Sequence, residues 1–253
     1  MNSGPIKALL TFDQAVFPGP GKRPGSRLKV SQWEIYPGDC WLLGGSPGSG
    51  KSALLAAAAG LLPMKSGLLI PAPMEKAGGE PFAGLVFDRA GRLFRDMSVL
   101  ENIVTALAYH GMESQWDAGA LEALLQDFGL WEARALRPTE LQRSLHLRVA
   151  LARALVIRPK VLLLDDPLSG LDPQSRRWWM QCLHRLVRGD WARVFGPQAM
   201  VVACAEAAPL REWANRWAWI EDGEWREVNP EEVRLQATIA GLPEWLGRVD
   251  NGA

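Results

Sequence analysis

Eight consecutive residues constrain this chain more than any others: Gly45-Ser46-Pro47-Gly48-Ser49-Gly50-Lys51-Ser52. The string fits G-x-x-x-x-G-K-[ST] without mismatch. Glycines at these places let the backbone curl until successive N–H groups point inward, which makes a concave anion site. An apolar strand, Cys40–Gly44, leads into the string. A small-residue helix, Ser52–Leu62, is expected after it, stopped by Pro63. Strand, glycine turn and helix N-terminus in that order aim amides and a helix dipole at one point. A nucleotide polyphosphate suits such a cradle. Lys51 is placed to reach the β- and γ-phosphates and the Ser52 hydroxyl to ligate Mg²⁺, so ATP and Mg²⁺ are the expected cofactors.

A second stretch supplies carboxylates. Val161–Leu164 is a fully apolar run of the kind buried on both faces in a parallel sheet. It ends in Asp165 and Asp166. In a phosphate-loop ATPase the strand-end Asp holds Mg²⁺, usually through water, and Asp165 fits that place. Asp166 then stands where a carboxylate would polarise the attacking water.

The rest reads as strands alternating with helices. Ala8–Phe12, Leu28–Ile35, Leu85–Phe87, Met200–Cys204, Ala218–Ile220 and Trp225–Glu227 are strand candidates, the last two joined by an Asp222-Gly223 turn. Phe17 to Gly25 reads as a Pro/Gly-rich loop. Val99–His110, Ala118–Phe128, Thr139–Ile157 and Pro173–Arg188 carry helical spacing. The fold class is α/β: a phosphate-loop NTPase core with a mixed sheet, plus a helical sub-domain. The expected division is a core at about 1–97 and 151–228, a helical sub-domain at about 98–150, and a tail at 229–253.

Composition excludes several classes. Lys+Arg and Asp+Glu number 28 each, so no basic excess points to nucleic acid. Three scattered cysteines, Cys40, Cys182 and Cys204, suggest a reducing compartment and thiols buried as small hydrophobes. The opening residues show no secretory leader, and the longest clean apolar run, Ala53–Leu62, is about half a membrane span. The expectation is a soluble chain that reaches a membrane only through a partner. The 12 tryptophans are read first as core fillers and second as anchors for another subunit.

With both nucleotide stretches in view, a resemblance becomes specific. Pro159–Pro173 resembles the Walker B and D-loop block of ABC ATPases, with Asp172 in the D-loop. Arg148–Leu155 resembles the helix after their signature motif, and Leu93–Ile103 the start of their helical sub-domain. The resemblance spans about residues 8 to 228. It implies a head-to-tail dimer with a second ABC ATPase subunit, identical or distinct, and ATP between the phosphate loop of one and the signature of the other. It also implies a transmembrane permease partner and a place on the cytoplasmic face of the inner (plasma) membrane. The block Gly91–Ile103 is similar to importer-like and Mla (Mce-associated) lipid-trafficking ATPases.

The chain departs from the family at defined positions. The signature Leu-Ser-Gly-Gly-Gln is matched by Leu141–Leu145, so Gln142, Arg143 and Ser144 replace its phosphate-gripping residues. Asp166 replaces the catalytic Glu, Ala205 the switch His, and Asp88 the Q-loop Gln, with an oxygen that can still face Mg²⁺. The adenine-stacking aromatic should lie near Phe17–Gly19. Two readings stay open: a transport motor with slow hydrolysis, and an ATP-binding subunit that does not hydrolyse and serves a structural or regulatory role. A soluble ABC protein of repair or translation fits poorly, since those carry two nucleotide domains or long insertions.

Overall fold

The computed structural model describes residues 6–19, 27–71, 82–87, 92–189, 196–204 and 213–230. The described residues centre on one nine-stranded mixed sheet. The strands are β1 (Leu10–Pro18), β2 (Arg27–Ile35), β3 (Cys40–Gly45), β4 (Ser66–Pro71), β5 (Ala83–Val86), β6 (Val161–Asp165), β7 (Ala199–Ala203), β8 (Arg216–Glu221) and β9 (Glu224–Glu227). Their spatial order is β4-β1-β2-β9-β8-β3-β7-β6-β5. β8, β3, β7, β6 and β5 run parallel, while β1 pairs antiparallel with β2 and β4.

The central strands are apolar along most of their length, and alternation still sorts them. Leu42, Leu162, Leu164, Met200, Val202, Trp217 and Trp219 face one core. That core is closed by α2 (Val99–His110), α3 (Ala118–Asp127), α4 (Arg143–Val156) and α5 (Pro173–Arg188). Trp41, Leu43, Val161, Leu163, Val201, Ala203 and Ile220 face the other, where α1 (Lys51–Ala58) buries Leu54, Leu55, Ala57 and Ala58.

Local chemistry sets several boundaries. Ser98 and Glu101 form a reciprocal capping box at the start of α2, and Gly111 ends it at φ +64°. Asp172 caps α5, Pro173 follows at the first helical position, and Gly189 closes it.

Three expectations need correction, and one strand carries no expectation at all. α1 stops at Ala58, before Pro63, because Gly60 turns the chain at φ +73°. α4 begins at Arg143, not Thr139, since Pro138–Glu140 is a separate 3-10 turn and Leu141 is extended. β1 runs through to Pro18, so Phe17 lies in a strand and not in a loop. β4 was not foreseen; it is the sheet's edge, and five of its six residues are exposed. Among the described tryptophans, Trp33, Trp41, Trp116, Trp179, Trp217, Trp219 and Trp225 are buried fillers. Trp33 alone meets Phe12, Trp41 and Trp225 within 6 Å between ring centres. Trp191, Trp245 and nearly all of the tail lie outside the described residues.

Candidate functional site: the loop after the central strand

Parallel pairing brings the two nucleotide stretches to one end of the sheet. Leu43 of β3 and Asp165 of β6 both lie opposite Ala203 of β7, the strand between them. The chain leaves β3 at Gly45, whose φ is +142°. A Cβ there would collide with the Ile220 carbonyl and lie 2.6 Å from Ser49 Oγ. Gly45 is thus required twice, by its backbone angle and by space. Gly48 (φ +79°) needs the left-handed region for the loop turn. Ser46 and Pro47 lie between these glycines, and the Ser49 N–H donates to Ser46 O at 3.0 Å. Gly50, at φ +116°, is the N-cap residue of α1.

Lys51 opens α1 and folds back over the loop. Its ammonium donates to the carbonyls of Gly45 at 2.6 Å and Ser46 at 3.1 Å. Burial pulls this amine below the ordinary lysine value, while Cys204, Asp166 and Asp165 pull it partly back up. The Ser52 hydroxyl donates to Asp165 Oδ1 at 3.0 Å, a contact that ties α1 to the end of β6. Asp165 is 6% exposed. The next residue, Asp166, sits at φ +47°, an uncommon angle outside glycine that Asp tolerates better than most. Its N–H donates to Ala203 O at 2.8 Å, and its carbonyl accepts from Ser169 N–H.

The donor set suits ATP with Mg²⁺. Ser49 Oγ is buried and has no hydrogen-bond partner among the described residues, so a hydroxyl donor stands inside the loop. Ser52 and Asp165 offer hard oxygen ligands, and Mg²⁺ needs only one or two from protein when phosphates and waters supply the rest. Among the described residues no cluster of three or more His, Cys, Asp or Glu competes as a metal site.

Those remaining site candidates that lie among the described residues fall elsewhere. Gln142 is the N-cap of α4 but makes no side-chain cap bond, and Arg143 and Ser144 form its first turn. Arg143 and Ser144 line a hollow of about 270 Å³ together with Ser169, Gly170 and Asp172. Asp172 is engaged within its own chain: Ser175 donates to it from N–H at 2.9 Å and from Oγ at 2.6 Å. Those bonds hold its carboxyl below the usual carboxylate range. Phe17, at the place expected for adenine stacking, is fully buried and T-shaped against Phe12, so it cannot meet a base. Asp88 and Ala205 lie outside the described residues.

Two features had no sequence signal strong enough to find them. Asn102 is fully buried and clamps the segment before α2: it accepts from Phe94 N–H and donates to the carbonyls of Phe94, Met97 and Ser98. A groove of about 540 Å³ lies where β5, α2 and α4 meet, with Leu61, Phe94 and Tyr109 exposed along it. The Arg92 guanidinium stacks on Phe87 there, and Arg153 donates to the Arg92 carbonyl.

A largely parallel sheet with this loop after its central strand, and a hydroxyl–carboxylate pair beside the loop lysine, defines a phosphate-loop nucleotide-binding protein. The profile of the ABC transporter family matches residues 28–169, and the chain belongs to that family. It is 38% identical over 206 residues to the aliphatic sulfonates import ATP-binding protein SsuB of Ralstonia nicotianae, covering 80% of this chain and 67% of that one. It is 36% identical over 178 residues to the Nod factor export ATP-binding protein I of Burkholderia orbicola, covering 66% of this chain. The chain spans about half the length of some curated relatives: 57% of that export protein and 48% of a second sulfonate import protein, from Paraburkholderia xenovorans. In fold it is similar to cbiO1 of Clostridium perfringens, part of the ABC transporter complex cbiONQ, with TM-score 0.67, 21% identity, and 92% of each chain covered. It is also similar to a dimeric ATP-binding cassette bound to ADP and Pi, with TM-score 0.68, 22% identity, and 87% and 98% covered.

Proposed function

We propose that this chain is the ATP-binding subunit of an ABC transporter. It binds ATP with Mg²⁺ at Gly45–Ser52 and couples binding, with slow hydrolysis, to a transmembrane partner. The observation that carries the reading is the 3.0 Å contact of Ser52 with Asp165 beside the half-buried Lys51 amine. In this reading Lys51 and the loop amides hold phosphates, Ser52 and Asp165 hold Mg²⁺ with help from Asp88, and Asp166 polarises water. Bound Mg²⁺ neutralises phosphate charge; the chain's own groups orient what it holds.

A second ATPase subunit completes the site. Gln142, Arg143 and Ser144 at the N-terminus of α4 meet that subunit's ATP, with Asp172 on the facing loop. The helices between about residues 98 and 150 act as one sub-domain against the sheet. The groove rimmed by Leu61, Phe94 and Tyr109 receives the transmembrane subunit, which alone brings the chain to the cytoplasmic face of the membrane. The partner, not this chain, selects cargo. The relatives' names speak of sulfonates and Nod factor; the lipid reading rests on Gly91–Ile103 alone.

The non-hydrolysing reading also has an observation in its favour. Asp166 is one methylene shorter than Glu and leaves β6 at φ +47°, and a positional error near 1 Å costs about 100-fold in rate. Single-turnover hydrolysis by the purified complex, with and without Asp166→Ala, separates the two. Motor action predicts loss of turnover in the variant; unchanged turnover would remove this site from the motor.

A further inference from the structure

The phosphate-loop motif begins at Gly45, and nothing in it asks for glycine at 44. The backbone of Gly44 lies outside the left-handed region, so its angles permit a side chain. Space does not. A Cβ on Gly44 would stand 2.6 Å from both Cε3 and Cζ3 of Trp219. Trp219 is the parallel partner of Gly44, and Ile220, whose carbonyl blocks a Cβ on Gly45, is the partner of Gly45. Two consecutive residues of β8 therefore press on the two consecutive glycines where β3 becomes the loop. One presses with a ring, the other with a carbonyl.

That junction bears on the site through one bonded link. Lys51 takes its position from the Gly45 carbonyl at 2.6 Å and the Ser46 carbonyl at 3.1 Å. Ser49 Oγ packs on Gly45 from the loop side. Trp219 is 3% exposed and its indole N–H has no hydrogen-bond partner among the described residues. Polar anchoring therefore does not account for the indole. It acts there as a flat, rigid wall.

We infer that Trp219 is a positioning residue for nucleotide binding: its ring, seated on Gly44, fixes where β3 releases the phosphate loop and thereby where Lys51 stands. The inference rests on the proposed ATP-binding reading. An ångström of drift at Lys51 would be felt strongly, since misplacement of that size costs about 100-fold in comparable sites.

The test uses the full chain and ATP-Mg affinity by calorimetry, with cooperative unfolding as the folding control. Gly44→Ala, whose methyl would press on the Trp219 ring, is expected to weaken ATP binding about 10- to 100-fold. Gly44→Ala with Trp219→Leu, which opens room for the methyl, is expected to regain most of the loss. Trp219→Phe keeps a ring on Gly44 and is expected to bind within about threefold of the wild type, well below that misplacement cost. A merely structural role would move unfolding midpoints and leave affinity alone. Folded Gly44→Ala with unchanged affinity would overturn the inference, as would a folded double variant with no recovery. If Gly44→Ala does not fold, Trp219→Leu alone, which takes the ring off Gly44, is expected to bind ATP about tenfold or more weakly; a folded Trp219→Leu chain with wild-type affinity would overturn the inference. A wild-type chain that does not bind ATP would sink the ATP-binding reading as well, so the two failures are distinguishable.

Discussion

Asn102 offers the sharpest test of how this molecule is held together near the groove. Its side chain serves four backbone groups: the Phe94 N–H at 2.8 Å and the carbonyls of Phe94, Met97 and Ser98 at 3.0–3.1 Å. Two of these keep another bond when the amide is removed. The Ser98 carbonyl still accepts from Asn102 N–H, and the Phe94 carbonyl from Met97 N–H. The Phe94 N–H and the Met97 carbonyl are left. At about 1–3 kcal/mol for each unsatisfied buried group, Asn102→Ala should cost about 2–4 kcal/mol once partial hydration is allowed. That is a large share of a typical domain's stability. Asn102→Asp keeps the shape and reverses the chemistry, because a carboxylate then faces three carbonyl oxygens. Its folded-state pKa must lie above the ordinary value near 3.9, so the folded variant binds more protons than the unfolded one above that value. Its deficit should therefore grow from acid to neutral pH, whereas that of Asn102→Ala should stay flat. Urea unfolding followed by circular dichroism at several pH values measures both. An Asn102→Asp chain as stable as the wild type at neutral pH would refute the clamp.

Three further outcomes are expected. Burial holds the Lys51 amine below 10.5, so the nucleotide-free folded chain binds that proton less tightly than the unfolded chain, and its stability rises with pH through this window. ATP phosphates favour the charged amine. Calorimetry in two buffers should then show proton uptake on binding as the pH nears 10.5 from below, where the free amine has begun to lose its proton. Lys51→Met should abolish the uptake and weaken ATP binding about 10- to 100-fold, the worth of one charge-assisted hydrogen bond; binding without uptake in the wild type would contradict this. Burial pushes the Cys40 thiol up to about 12 and raises that of Cys182 as well, so iodoacetamide at neutral pH should label neither until the chain unfolds, as mass spectrometry would report. Tyr109 is 84% exposed, so Tyr109→Ser should leave unfolding within about 0.5 kcal/mol of wild type. The same change should weaken capture of the transmembrane subunit about tenfold or more, as loss of an aromatic anchor does; equal capture would remove the groove from the docking surface.

What could be read from sequence follows from how local each signal is. α2 and α5 were legible to the residue because Ser98 with Glu101, Asp172 with Pro173, and the glycines at 111 and 189 mark their ends with short-range chemistry. At α4 the helical spacing runs back to Thr139, yet the bonds of Pro138–Glu140 close a single 3-10 turn before Leu141 extends the chain. At α1 the proline at 63 is the stronger stop signal in the sequence, yet Gly60 turns the chain before it. β4 was illegible because an edge strand with exposed Leu68 and Ile70 has no polar–apolar alternation to reveal it. The loop at Gly45–Ser52 is one contiguous string, so its type was plain from the start. Its meeting with Asp165 is not contiguous: those residues are 113 apart, and only the parallel register through Ala203 joins them. Trp219 lies further still from any local pattern. In the sequence it is one tryptophan among 12, and only its pairing opposite Gly44 turns a large apolar residue into a wall for the loop. Residues that touch phosphate can thus be read from a string, while the residues that hold them in place become visible only through strand register.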